Sequence, residues 1–426
     1  MTVGQQPSDR ESPALRAPRL ALIDATGPGA GRHLWGMTVV ERQVRELGRL
    51  GVAEVWVFPS AGTRHAATVL RDDLTLLFGI RVVWAGDGIA SDLPQALARI
   101  DEPVLLLHGD VVYDERVFAQ LAQADALLVQ DRPGTGAARL PAATVGALAR
   151  QWDSDCPWEA QIRRLGVADR GPADIEVYIP SLRLTMPPLI EPVPATAALG
   201  PLERLMYRRS FKGAIDIVAR YGYYDLVRLL TRWVCPTRLT PNLFTVLSVL
   251  GVWAAAPCLA TGRLGWGLAA AWVGVLCDSI DGKLARLRLH LSESMGAFEH
   301  LTAMPGLALW YLGTGWYLTG GQLLAAGGVA LVTWLFLAAF VLDKVVTGLF
   351  RSLSGRELFD AEPVDAAFHL IAGRRNISLV LLTLGTAADR LAAAFTAAAV
   401  WTGVTLAFHV VRFSWLRCRR VTAAGS

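Results

Sequence analysis

CDSIDGKLARLRLHLSESMGAFEHLTAM, residues 277–304, follows an apolar run from Leu264 to Leu276. If that run is a membrane helix, Asp278 and Asp281 lie on one face of its last turn. Carboxylates at a bilayer edge are costly unless they pair or bind a cation, so the two are functional-site candidates. Gly282 and Ala285 lie close to the same face. Small residues there let a neighbouring helix or a ligand approach the backbone. Arg286 stays near that side, one turn beyond. Hard carboxylate oxygens suit Mg²⁺ or Mn²⁺, which usually bind together with substrate phosphates. The pattern predicts a metal-bridged diphosphate at a membrane edge. The alternative, an Asp pair held only by neighbouring Lys and Arg, leaves the small residues unexplained.

Working outward, the rest of the chain is what such a site needs. At 426 residues it is too long for one average domain. It is 53% hydrophobic and 18% charged, with a mean hydropathy of +0.37. That balance suits several membrane spans rather than an ordinary soluble protein. Six apolar spans are expected, at 243–260, 264–280, 297–318, 322–346, 376–389 and 391–411, within a membrane domain at 241–415. Lys283, Arg286 and Arg288 follow the second span, and Lys344, Arg351, Arg356, Arg374 and Arg375 separate the fourth and fifth. Arg412, Arg417, Arg419 and Arg420 end the chain. The positive-inside rule then places both termini and the Asp pair on the cytoplasmic side, with 416–426 as a cytoplasmic tail. Net charge is +4, a mild excess that gives no indication of nucleic acid. Five scattered cysteines without CxxC spacing read as buried small hydrophobes in a reducing setting. Residues 1–18 are polar, lack an apolar core, and read as a disordered leader rather than a signal peptide.

Residues 19–190 read differently. LALIDA (20–25), VAEVWVF (52–58), IRVVWAG (80–86), PVLLLHGD (103–110) and ADALLVQ (124–130) alternate with helical stretches such as 37–50 and 92–100. The alternation predicts a doubly wound α/β domain on a parallel sheet. GPGAGR, 27–32, follows the first strand, where glycines let backbone N–H groups approach a phosphate, although a tight turn explains them equally well. Asp110 ends the fourth strand, at the edge where open α/β sheets bind ligands. Residues 191–240 form a junction. It opens proline-rich, and from Leu202 to Val234 it carries seven Lys and Arg among aromatic and aliphatic residues. Such a segment reads as an interfacial helix pair on anionic lipid. Some of its cations could also face a phosphorylated substrate.

The run D-x-x-D-G-x-x-A-R from Asp278 to Arg286, with TPN at 240–242 opening the first span, resembles the CDP-alcohol phosphotransferase family over residues 200–415. The resemblance implies a six-helix membrane enzyme that displaces CMP from a CDP-linked lipid or alcohol with a hydroxyl of a second substrate. It implies metal ligands at Asp278 and Asp281. Asn242, Gly282, Ala285 and Arg286 would bind the CDP donor. A polar alcohol or phospho-alcohol, inositol- or glycerol-type, would be the acceptor, membrane lipid the setting, and a second copy of the chain a partner.

The family pattern continues with a glycine and two further Asp residues four apart. One count puts Met295, Glu299 and Ala303 there, and the other Gly296, His300 and Met304. The first preserves a hard oxygen ligand in Glu299, and the second leaves His300 to take a proton. Neither supplies a fourth carboxylate. Residues 19–185, through the glycine turn, VVERQVRELGRLGVAEVWV (39–57) and LLLHGDVVYD (105–114), resemble sugar-phosphate nucleotidyltransferases. In that family the position of Asp110 helps to hold a metal. The family's phosphate-neutralising lysine has no counterpart before Lys212. The order of the two domains, and RRNISLVLLTLG (374–385), resemble bifunctional enzymes that make CDP-inositol and then di-inositol phosphate. An active cytidylyltransferase in the first domain and a CDP-lipid-binding relative without turnover are the rival readings.

Overall fold

The computed structural model describes residues 17–60, 79–179, 184–211, 215–290 and 292–424, together with Leu182 and Gly213. The leader lies outside these. So do Lys212 and the side chains of Glu293 and His300. The chain forms two compact units, one from residues up to Tyr178 with Thr185–Leu205, the other from Ile179–Leu184 with Met206 onward.

The first unit is a seven-stranded sheet. Its strands in chain order are β1 (Leu20–Ala25), β2 (Glu54–Pro59), β3 (Arg81–Trp84), β4 (Val104–His108), β5 (Leu127–Val129), β6 (Ala137–Leu140) and β7 (Asp169–Arg170). Their order across the sheet is β7-β5-β6-β4-β1-β2-β3. Side chains alternate along β1: Ala21, Ile23 and Ala25 enter the core on one face, and Leu20 and Leu22 the core on the other. Helices α1 (Val39–Arg49) and α3 (Glu115–Gln123) cover the first face. α2 (Leu93–Leu97), α4 (Ala142–Arg150) and α5 (Trp158–Arg164) cover the second. The expected double winding is present. The expected all-parallel pairing is not, because β6 runs antiparallel to both β4 and β5. The DRPGTG turn after β5 reverses the chain without a crossover helix, so the next strand has to return antiparallel.

α6 (Gly200–Arg209) runs from the first unit into the second, where a π-helical turn, Val218–Gly222, and α7 (Tyr224–Val234) follow. Six helices follow the expected spans: α8 (Pro241–Ala260), α9 (Leu264–Leu287), α10 (Glu293–Leu318), α11 (Gly328–Ser354), α13 (Arg375–Ala387) and α14 (Leu391–Ala424), with the short α12 (Pro363–His369) before α13. Among the described residues three are long and apolar enough to cross a membrane: α8, α11 and α14 through Arg419. α9 carries four charged side chains between Asp278 and Arg286, and α13 has 13 residues, fewer than the ~20 a straight span uses. The fourth helix begins at Gly328 rather than at residue 322, after glycines with positive φ at 320, 321 and 327. Pro305 lies inside α10 and does not end it.

Unit two is built inside out compared with a water-soluble bundle. Leu250, Val273, Leu335, Leu384, Val400 and Val411 point outward, while Asp281, Asp343, Asp365, His369 and Asn376 are buried. Apolar surface facing lipid and polar groups paired inside is the arrangement a bilayer selects. The chain is a membrane protein. α8 and α9 touch backbone to backbone: a Cβ at Gly251 would stand 2.8 Å from Ala270 O and Gly274 N. Their close approach brings Thr245 of α8 beside Asp281 of α9.

Candidate functional site

α9 runs six residues past Asp281, so the acid pair sits inside the helix and not in its last turn as expected. That burial matters, because each carboxylate must find compensation from another element. Asp278 is paired with Arg375, the first residue of α13, through Nη2 and Oδ2. Glu299 of α10 brings its carboxyl within hydrogen-bonding reach of Asp278. Asp281 is 5% exposed, and its Oδ2 is buried without a hydrogen-bond partner. Gly282 is half-buried, with Arg286 folded back over it: a Cβ there would meet Nη2 at 3.0 Å. Arg286 Nε donates to the carbonyl of Ser210, so the side chain expected to bind a CDP donor is anchored to the segment after α6. Ala285 is half-buried in α9, and Asn242 stands in the first turn of α8, also half-buried.

A cavity of about 190 Å³ opens beside Asp278. One wall is aromatic: Phe211 and Tyr224 stack with ring centres 5.5 Å apart, and Tyr207 meets both edge-on. Burial raises the Tyr207 phenol well above its ordinary range, so it stays neutral. The lining also carries four cations, Lys283, Arg286, Arg374 and Arg375. The Lys283 ammonium lies 4.3 Å from the Phe211 ring centre and donates to Ser279 O at 3.1 Å.

No role was expected there for Asp216, Tyr223 or Asn376, although Asn376 lies within RRNISLVLLTLG. Asn376 Nδ2 donates to Asp216 Oδ2 at 2.7 Å and to the Tyr223 hydroxyl at 2.9 Å. Asn376 Oδ1 is buried without a partner. These bonds tie the start of α13 to the segment before α7, which fixes where Arg375 points. Behind them Arg374 Nη1 donates to His369 Nε2 at 2.7 Å. Burial, with the Arg374 charge, pulls the His369 imidazole down to about 2, so it accepts as a neutral ring.

Hard oxygens on Asp278, Asp281 and Glu299, one of them orphaned in a buried position, are the right chemistry for a divalent cation. Among the described residues no three His, Cys, Asp or Glu side chains already stand close enough to hold one. Asp278 is instead paired with Arg375.

The first unit carries a second acidic cluster, at the carboxyl edge of its sheet. Asp24 is the penultimate residue of β1, His108 ends β4, and Asp110 follows two residues on. Glu159, from α5, accepts from His108 Nε2 at 2.8 Å and from Gly134 N at 3.0 Å. His108 Nδ1 stands 4.0 Å from Asp24 Oδ2, and the ring stacks on Trp158 at 4.7 Å. Burial disfavours the imidazolium, but the Glu159 hydrogen bond and the charges of Glu159, Asp24 and Asp110 outweigh it, so the pKa of His108 is raised. Burial raises the Asp110 carboxyl, against the opposing pull of His108. A Cβ at Gly27 would overlap the Asp110 carboxylate, and one at Gly29 would lie 3.0 Å from Asp110 Cβ. The glycine turn is thus required sterically by Asp110. Its Arg32 is committed to the carbonyls of Pro194 and Ala197, at 2.8 and 2.7 Å.

Comparison with known proteins adds three findings. No curated protein matches the chain. The crystal structure of Mycobacterium tuberculosis phosphatidylinositol phosphate synthase (PgsA1) with CDP-DAG bound is similar at 16% identity and a TM-score of 0.34, over 44% of this chain and 94% of that one. The model of the CDP-alcohol phosphatidyltransferase family matches residues 238–409, so the C-terminal half carries a domain of that family.

Proposed function

We propose that the chain transfers a phosphatidyl or related phospho-alcohol group from a CDP-linked donor to a hydroxyl acceptor, with release of CMP. The observation that carries this is the cavity beside Asp278, lined by Asp278, by four cations and by aromatic rings. The bond formed joins the acceptor oxygen to the donor phosphorus. The bond broken joins that phosphorus to the CMP oxygen, which keeps the electron pair. The proton leaves the acceptor hydroxyl, to His300 or water. Asp278, Asp281 and Glu299 would hold Mg²⁺ or Mn²⁺. When bound, the cation supplies charge stabilisation at the diphosphate.

The chain's own groups do the positioning. Lys283 and Arg374 attract an anionic acceptor, and the free Oδ1 of Asn376 can accept from one of its hydroxyls. This favours an inositol- or glycerol-type phospho-alcohol. Gly282, Ala285 and Asn242 would leave room for the CDP moiety. Exposed Leu226, Leu229 and Trp233 beside Arg228 and Arg232 on α7 suit an interfacial helix at the cytoplasmic face. Six spans, cytoplasmic termini and a homodimer belong to the same proposal.

The test is CMP release by the full chain in micelles with CDP-diacylglycerol, Mn²⁺ and a panel of inositol, inositol phosphate and glycerol phosphate acceptors. Release that disappears in Asp281→Ala supports the reading, and release with no acceptor on the panel sinks it. A second reading draws on the Asp278–Arg375 pair and the missing fourth carboxylate: the domain binds a CDP-lipid without turnover. Saturable CDP-diacylglycerol binding with no CMP release would favour it. The first unit, with Asp110 at its sheet edge, would then be a nucleotide-binding or structural partner. CTP consumption lost in Asp110→Ala would instead make it a cytidylyltransferase.

A further inference from the structure

Asp278 and Arg375 meet across 97 residues of sequence, with side chains 19% and 23% exposed. A guanidinium there neutralises one carboxylate. It leaves Asp281, one turn on, with an orphaned oxygen. Arg375 also lines the cavity, and Asn376 next to it is pinned by Asp216 and Tyr223. It therefore reaches both the acid cluster and the cavity from a fixed helix end.

We propose that Arg375 is a resident counter-ion for Asp278, exchanged for a divalent cation, after which its guanidinium passes to a phosphate group in the cavity. The proposal rests on the transferase reading above. Its logic is charge conservation in a buried site. Asp278 is too enclosed to lose Arg375 without a replacement, and Arg375 is too enclosed to leave without an anion to receive it. A planar fork of N–H donors suits both a carboxylate and a phosphate, so the same side chain can serve either. Cation and phosphate must then strengthen each other's binding, by the same factor in either direction. Arg375 thus holds Asp278 before the cation arrives and binds the phosphate itself afterwards.

The experiment is a Mn²⁺ titration followed by electron paramagnetic resonance, on the full chain in micelles. With its competitor removed, Arg375→Gln binds Mn²⁺ more tightly than wild type, by about 5–150-fold, the usual span of such couplings. In wild type a phosphate ligand tightens Mn²⁺ by a comparable factor, and in Arg375→Gln that tightening disappears. Two probes separate the source of the phosphate: CDP-diacylglycerol reports the donor and glycerol 3-phosphate the acceptor. Asp278→Asn is the second variant. It frees Arg375 without metal, so the coupled phosphate probe binds equally well with and without Mn²⁺. Equal or weaker Mn²⁺ binding by a folded Arg375→Gln overturns the exchange, as does phosphate coupling that survives in that variant. If wild type binds Mn²⁺ and releases CMP while Arg375→Gln binds Mn²⁺ no better, the exchange falls and the transferase reading stands. Wild type that neither binds Mn²⁺ nor releases CMP overturns both.

Discussion

Each unit buries a cluster of carboxylates beside a cation of its own chain, yet the two clusters are finished differently. At the sheet edge His108 sits between Glu159 and Asp24, and Glu159 Oε1 also accepts from Gly134 N while its Oε2 is buried without a partner. Its ring is fixed by stacking on Trp158, and the glycine turn closes on Asp110. In the membrane unit Arg375 and Glu299 reach Asp278. Asp281 and Asn376 each keep a buried oxygen without a partner, and a cavity of about 190 Å³ lies alongside. An unmade hydrogen bond on a buried polar atom costs about 1–3 kcal/mol. Asn376 lines that cavity, and a fold tolerates such an atom most readily when a ligand completes it. Each cluster keeps an orphaned carboxylate oxygen, so what favours chemistry at the second is the cavity beside Asp278, lined by cations and aromatic rings.

The largest effect should come from the orphaned carboxylate. Asp281→Asn keeps the shape of the side chain and removes its charge. CMP release should fall about a thousandfold, if the stabilisation lost is several kcal/mol at ~1.4 kcal/mol per tenfold. The melting temperature of the solubilised chain should not fall, since an amide is cheaper to bury than a carboxylate. Activity within tenfold of wild type would move the chemistry away from Asp281 and dissolve the contrast.

The two clusters were also unequally legible in the sequence. Asp278, Asp281, Gly282 and Arg286 are neighbours on one helix, and a helix converts their spacing directly into a shared face. Arg375 and Asn376 arrive from α13, and Asp216 and Tyr223 from an irregular stretch that reads only as basic and aromatic. Nothing local announces a pairing 97 or 160 residues apart. Strands β1 and β4 were visible because both of their faces are buried, which leaves an uninterrupted apolar run. The reversal at β6 was hidden, because Ala137–Leu140 is four residues long and carries Arg139. In α9 the charged last turns looked like an exit from the membrane. They remain helical because the second unit packs other helices and the 207–224 segment around them.

Lys283 tests whether the cationic wall serves an acceptor. Lys283→Met keeps the stem packed against Phe211 and deletes the charge. A charged hydrogen bond to a phosphate is worth about 1.5–3 kcal/mol, so the acceptor KM should rise roughly 10–100-fold with little change in donor KM. A rise confined to the donor would reassign the wall to CDP.

Asp216 tests the anchor of α13. Asp216→Ala removes an acceptor from Asn376 Nδ2 and the cap on Ala219 N, bonds of 2.7 and 3.0 Å. The cost should be about 1–3 kcal/mol, seen as a lower melting temperature. Hydrogen exchange should quicken at residues 215–224 and at the start of α13. Exchange that quickens throughout the second unit would mean that the network holds the whole bundle and not the site.

The smallest effect should appear in the first unit, and there the sign decides. The pKa of His108 is raised above its ordinary 6.5, because Glu159 and the nearby carboxylates outweigh burial. A group whose folded pKa is raised contributes stability that is complete below the unfolded value. That stability is lost as pH climbs from about 6.5 through the folded pKa. Amide exchange in β4 and α5 of the full chain should therefore accelerate over that rise beyond its intrinsic pH dependence. His108→Gln retains a donor for Glu159 and cannot titrate, so its protection should be lower at pH 6 and flat across the window. A wild type as flat as the variant would show that the ring is neutral throughout. The sheet-edge carboxylates would then lack the internal cation that sets them apart from Asp281, and a ligand at Asp110 would regain its physical motive.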